Sequence, residues 1–119
     1  MESSVRISVT KLLEFSAAHA VLGEELHGHN YKVALTVSGP LTEDQVVMDF
    51  RELKRIAEEV IGELDHRNLN ELMPEPTAER IALTIWNSLE RKLKSRGVTL
   101  ERVTLWENDR SWVEIRRDR

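Results

Sequence analysis

Hydrophobic and polar residues alternate cleanly over positions 5–19. Val5, Ile7, Val9, Leu13, Phe15, Ala17 and His19 share one parity, while Arg6, Ser8, Thr10, Glu14 and Ser16 take the other. That period of two predicts a half-buried strand. Residues 27–38 repeat it, with His27, His29, Tyr31, Val33, Leu35 and Val37 on one side. The short link 20–26 predicts that the two strands form an antiparallel hairpin. The period then lengthens to that of a helix: Phe50, Leu53, Ile56, Ala57, Val60, Ile61 and Leu64 follow Asp49 and Glu52, which read as a capping box. A second helix is predicted from Thr77, its N-cap after Pro76, with Ala78, Ile81, Ala82, Ile85, Trp86, Leu89 and Leu93 as its apolar stripe, ending before Gly97. Two more strands, 98–107 and 111–117, complete the order β-β-α-α-β-β.

This order predicts an α+β fold, a four-stranded antiparallel sheet with two helices on one face, as a single domain over residues 1–119. Such a sheet has two long edges, which proteins usually pair or cover, so a homo-oligomer is expected.

Composition narrows the chemistry. With 119 residues, 40% of them apolar and 32% charged, the chain has the balance of a soluble globular domain. A net charge of −4 and no basic stripe argue against nucleic acid as a partner. No apolar run is long enough for a membrane span or a signal peptide, which makes cytoplasm the expected location. There is no cysteine, so disulfides, thiolate metal sites and thiol nucleophiles are all excluded.

Three of the four histidines fall within "HAVLGEELHGH". His27 and His29, two apart on a strand, point the same way, and His19 ends the neighbouring strand on its apolar face. Each imidazole could be an ordinary buried residue, but three together are costly to bury without a charge to organise them. Three neutral nitrogens would leave a fourth position open on zinc, as catalytic sites do. The fourth histidine, His66, follows Asp65 just past the first helix. The two could simply end the helix, or could form an acid/base pair. Glu107 ends an apolar row on its strand, either reaching water or accepting a planar pair of N–H groups from a guanine-like ring.

The segments "FSAAH", "LHGHNYKV", "VVMDFRELK", "LDHRNLN", "EPTAERIA" and "LWEN" occur in one order along almost the whole chain. In this the sequence closely resembles the 6-pyruvoyltetrahydropterin synthase family, which includes 6-carboxytetrahydropterin synthase. The resemblance implies the T-fold, whose subunits join into a β-barrel oligomer. A homohexamer built as a dimer of trimers, with active sites between subunits, is the form it implies here. It also implies a small pterin substrate, Zn2+ held by His19, His27 and His29, a catalytic pair of Asp65 and His66, and Glu107 as anchor of the pterin ring. Thr77 and Glu79 belong to the "PTAE" motif. Thr77 reads first as the helix cap and second as a substrate-binding residue, and Asp49 stays a cap.

One departure bears on the reaction. Synthases of this family carry a cysteine four residues before "HGH", and here that position is Gly23. A glycine cannot act as a base. Members with a glutamate at or beside the cysteine position are associated with cleavage of the dihydroneopterin side chain to 6-hydroxymethyl-7,8-dihydropterin. Glu24 is the first candidate for that glutamate and Glu25 the next, unless both are loop charges facing water. The expectation is therefore a zinc-dependent retro-aldol lyase. Two alternatives remain: a pyruvoyl- or carboxy-tetrahydropterin synthase with a substitute base, and a zinc- and pterin-binding protein that has lost catalysis.

Overall fold

A computed structural model describes residues 5–118. Two long strands, β1 (Ser8–His19) and β2 (His27–Ser38), are followed by helix α1 (Phe50–Ile61), helix α2 (Ala78–Leu93), and strands β3 (Thr99–Asn108) and β4 (Ser111–Arg116). The strands form one antiparallel sheet in the order β1-β2-β3-β4. The predicted α+β architecture and element order are therefore present.

Parity decides which residues meet the helices. Phe15, Tyr31, Val33, Leu35, Val37, Leu100, Val103 and Leu105 lie buried under Leu53, Ile56 and Val60 of α1 and Ile81, Ile85 and Leu89 of α2. Removing each such side chain from water contributes about 1.5–3 kcal/mol. The opposite face of the sheet is polar at its centre, where the Thr10 and Thr36 hydroxyls bond at 2.7 Å.

Three details of the sequence reading need correction. The first strand begins at Ser8 rather than at residue 5, because its partner β2 ends at Ser38 before Gly39-Pro40; Val5 and Ile7 are exposed. Phe50 occupies the first helical position of α1, outside the buried stripe, and is also exposed. The capping box is half formed. Asp49 accepts from Arg51 N–H at 2.8 Å, but the Glu52 carboxylate turns away to Arg55 and Arg96, tying α1 to the turn that follows α2.

Thr77 caps α2 as predicted, its hydroxyl accepting from Arg80 N–H at 3.2 Å. Thr77→Ala is expected to lower stability by about 1 kcal/mol, seen as a shifted urea midpoint with an unchanged slope. A null effect would mean that the hydroxyl contributes nothing to the start of the helix.

The two sheet edges differ. Along β1, the segment after α1 acts as a cover: His66 N–H donates to Ser16 O at 2.6 Å, Ala18 N–H donates to Arg67 O at 3.0 Å, and the Asn70 side chain bonds both backbone groups of Ala20. β4, at the other edge, is short and carries the exposed Trp112. Among the described residues no helix is long and apolar enough to cross a membrane.

Candidate active site

The hairpin register puts His19 directly opposite His27 and Ala17 opposite His29, so the three imidazoles cluster at one end of the sheet on its helix-bearing face. One nitrogen of each lies within 4.8 Å of the other two. Backbone carbonyls orient two of the rings. His19 Nδ1 donates to Pro76 O at 2.8 Å, and His27 Nδ1 donates to Glu25 O at 2.8 Å. With Nδ1 protonated, Nε2 of each ring is a lone-pair acceptor, and these two atoms face each other at 3.1 Å. Two acceptors at that distance repel unless a cation lies between them. His29 Nε2 is buried and has no hydrogen-bond partner. Burial is the main cause holding the His29 pKa below its usual value, opposed by Glu107 and reinforced by His19 and His27, so the ring is kept neutral. Neutral, converging and partly orphaned imidazoles fit a divalent metal, with the two carbonyls as the outer support that orients its ligands.

Two carboxylates flank the triad. A tight turn joins β1 to the following loop, with Glu24 N–H donating to Val21 O at 2.9 Å and both central residues at positive φ (Leu22 at 54°, Gly23 at 78°). Positive φ at both positions is the type I′ signature, and glycine accepts the second at little cost. The turn sets Glu24 Oε1 4.0 Å from His27 Nε2. Glu25 contributes its backbone carbonyl instead.

On the other side, the β3–β4 register shifts between Trp106 and Asn108. This bulge directs Glu107 at the histidines, with Oε2 3.7 Å from His19 Nε2 and Oε1 4.0 Å from His29 Nε2. Glu107, the expected ring anchor, thus stands beside the triad.

Asp65 and His66 are adjacent and bonded, Oδ1 to Nδ1 at 3.0 Å, but they sit on the outer edge of β1. The Ser16 N–H is the main cause lowering the Asp65 pKa, and the His66 ring adds to it. His66 adopts φ 62° and its side chain is exposed. No contact joins the pair to the triad among the described residues. Thr77 and Glu79 line a separate cleft of about 740 Å³ with Leu72, Met73, Pro74 and Leu83.

The model of the 6-pyruvoyl tetrahydropterin synthase family matches residues 8–118. The chain belongs to that family. It is 42% identical over 121 residues to a protein of Archaeoglobus fulgidus provisionally named a 6-carboxy-5,6,7,8-tetrahydropterin synthase, which covers 98% of this chain and 100% of the relative. It is 44% identical over 104 residues to the dihydroneopterin monophosphate aldolase of Pyrococcus furiosus, covering 85% of this chain and 90% of that one. Among solved structures, a Plasmodium vivax 6-pyruvoyltetrahydropterin synthase in which a catalytic glutamate is replaced by alanine superposes with a TM-score of 0.75 at 25% identity, over 94% of this chain and 99% of that one. The fold is thus the one predicted from the motifs, and the protein is a pterin-pathway enzyme of this family.

Proposed function

We propose that the protein is a zinc-dependent lyase. It cleaves the side chain of 7,8-dihydroneopterin, or of its phosphate, into 6-hydroxymethyl-7,8-dihydropterin and glycolaldehyde or glycolaldehyde phosphate. The observation that carries this reading is the turn at 21–24. The position that holds the thiol in synthases is a glycine at φ 78°, and the next residue, Glu24, has its carboxylate 4.0 Å from His27 Nε2. Similarity to a dihydroneopterin monophosphate aldolase and to a synthase with a catalytic glutamate supports it.

His19, His27 and His29 would hold the metal, whose contribution is Lewis acidity toward the vicinal hydroxyls of the side chain. Glu24 takes the proton of the second hydroxyl. The bond between the first and second side-chain carbons then breaks, its electrons passing into the dihydropterin ring, and a proton returns to the first carbon. Glu107, on the opposite flank of the triad, is the donor best positioned for that return. A ring acceptor is then needed elsewhere. Glu79, an exposed carboxylate in a cleft that Leu72, Met73 and Leu83 line together with Glu75, Arg80 and Thr84, beside the loop that holds His19, fits a planar heteroaromatic edge, with Thr77 at the same wall.

Among the described residues no contact joins Asp65 and His66 to the triad of the same chain. We therefore take the working form to be an oligomer, a dimer of trimers, in which they meet the triad of a second copy.

Zinc-loaded protein should release 6-hydroxymethyl-7,8-dihydropterin from dihydroneopterin or its monophosphate, detected by chromatography. Conversion of the triphosphate to a pyruvoyl- or carboxy-tetrahydropterin instead would reject the lyase reading. Glu79→Gln should mainly raise KM, and Glu107→Gln should mainly lower kcat. The reverse pattern would return Glu107 to the ring.

A further inference from the structure

The β1–β2 ladder ends where His19 pairs with His27, and the next residue, Ala20, begins the loop that carries Glu24. Among the described residues neither backbone polar group of Ala20 has a main-chain partner. The Asn70 side chain takes both instead. Ala20 N–H donates to Asn70 Oδ1 at 2.7 Å, and the Asn70 NH2 group donates to Ala20 O at 2.8 Å. Because a backbone N–H can only donate, this pairing fixes which end of the amide is the oxygen. One side chain thus does at Ala20 what a neighbouring strand would do.

Asn70 completes a series. The segment after α1 meets alternate residues of β1 in turn: His66 N–H donates to Ser16 O, Ala18 N–H donates to Arg67 O, and Ala18 forms a parallel bridge with Asn68. The main chain then coils into a 3-10 turn (Leu69–Glu71), and contact with the third position, Ala20, passes to a side chain. That side chain has a firm base. Asn70 N–H donates to Asn68 Oδ1 at 3.0 Å, and its neighbour Leu69 is fully buried.

Little else holds the loop from outside. Leu22, Gly23, Glu24, Glu25 and Leu26 are all exposed, which leaves Val21 as the one buried side chain of residues 20–26. The Glu24 N–H bond to Val21 O is internal to the turn, and Glu25 O is tied to the His27 ring at the far end. Ala20 is therefore the joint between the imidazole of His19 and the turn that sets Glu24 Oε1 4.0 Å from His27 Nε2. An exposed asparagine usually gives its amide to water and keeps its rotamer freedom. Here both ends of the amide are committed to this joint. We infer that Asn70 is a positioning residue: by clamping Ala20 it holds the Glu24 carboxylate in register with the histidine cluster. The clamp rests on geometry alone, and its catalytic consequence rests on the lyase reading with Glu24 as base. A carboxylate displaced by about 1 Å can lose on the order of a hundredfold in rate.

The test uses Asn70→Ala and Asn70→Asp, each alone and combined with Glu24→Gln. Turnover of dihydroneopterin and its monophosphate is measured on zinc-loaded protein, and amide exchange is followed by NMR on the metal-free, substrate-free forms. Asn70→Ala should lower kcat about tenfold to a hundredfold while KM changes much less. In the Glu24→Gln background the same substitution should cost no more than about twofold, because residues that act as a unit are not additive. Asn70→Asp keeps the acceptor and loses the donor, so it should fall between the two. Exchange at the Ala20 and Glu24 amides should quicken by about tenfold or more in Asn70→Ala, while Ala18 and His66 on the same edge stay protected. Equal kinetic losses in both backgrounds, or exchange at Ala18 and His66 that quickens as much as at Ala20, would make Asn70 a general support of the edge and overturn the inference. Quickened exchange at Ala20 and Glu24 in a protein that cleaves neither substrate would leave the clamp standing and reject the lyase reading. Cleavage with kcat and exchange both indifferent to Asn70 would reject the clamp and keep the lyase.

Discussion

His29→Ala should yield a folded protein that neither retains zinc nor turns over substrate, with activity reduced by at least about a thousandfold. The expectation follows from the nitrogen arrangement. His19 and His27 alone present two acceptors 3.1 Å apart, and the third nitrogen, buried without a partner, completes a three-point set. Removing even an outer support of a metal ligand costs ten- to a hundredfold in affinity, and removing the ligand costs more. Two readouts check it. Metal content by atomic emission should fall from near one per chain to background. The rise in melting temperature on adding zinc, worth about 4 kcal/mol at a thousandfold excess over Kd, should disappear. Acid should reproduce the loss. Because burial lowers the pKa of His29, the metal-free fold favours its neutral form, so this contribution to stability is present above the ordinary value of 6.5 and fades as pH falls below it. A variant that kept its full zinc content would refute the assignment of His29 as a ligand.

Glu24→Gln should lower kcat by about a hundredfold to ten-thousandfold, the usual range for loss of a general base, with zinc content unchanged. Glu25→Gln should stay near wild type. The two neighbours have the same side chain and differ only in what the turn does with them. Glu24 offers its carboxylate at 4.0 Å from His27 Nε2, and Glu25 offers its backbone carbonyl to His27 Nδ1. Equal losses at both positions, or a loss at Glu25 alone, would show that the turn does not select the base. Cysteine introduced at position 23 is a poor route back to a synthase. Space for its Cβ exists, but the φ of 78° strains any side chain there.

Much of this was legible in the sequence because it depends on periodicity. Alternation put His19, His27 and His29 on one face of paired strands, and the hairpin register then had to bring them together. The same parity put Glu107 on the face of Val103 and Leu105 but could not foretell the bulge that turns it onto the triad, since a bulge is a disagreement between two strands and not a property of one. The capping box failed for a similar reason: Glu52 had a partner, Arg96, 44 residues away. The supports of the site were invisible altogether. Pro76 and Glu25 act through carbonyl oxygens, which every residue type possesses. The cover on the β1 edge is built from main-chain bonds and a left-handed histidine that no residue pattern announces.

The Pro76 carbonyl joins two events that are distant in the chain. It receives the His19 proton, and Thr77, the next residue, starts α2, where Ile81 N–H donates to Thr77 O at 2.9 Å. When a cation draws His19 into a fixed orientation, the loop before α2 loses freedom along with it. Backbone amides of that first turn, Ile81 foremost, should then exchange with deuterium more slowly in the loaded protein. Fully buried and involved in no chemistry, Ile81 becomes an internal gauge of occupancy that can be read without substrate.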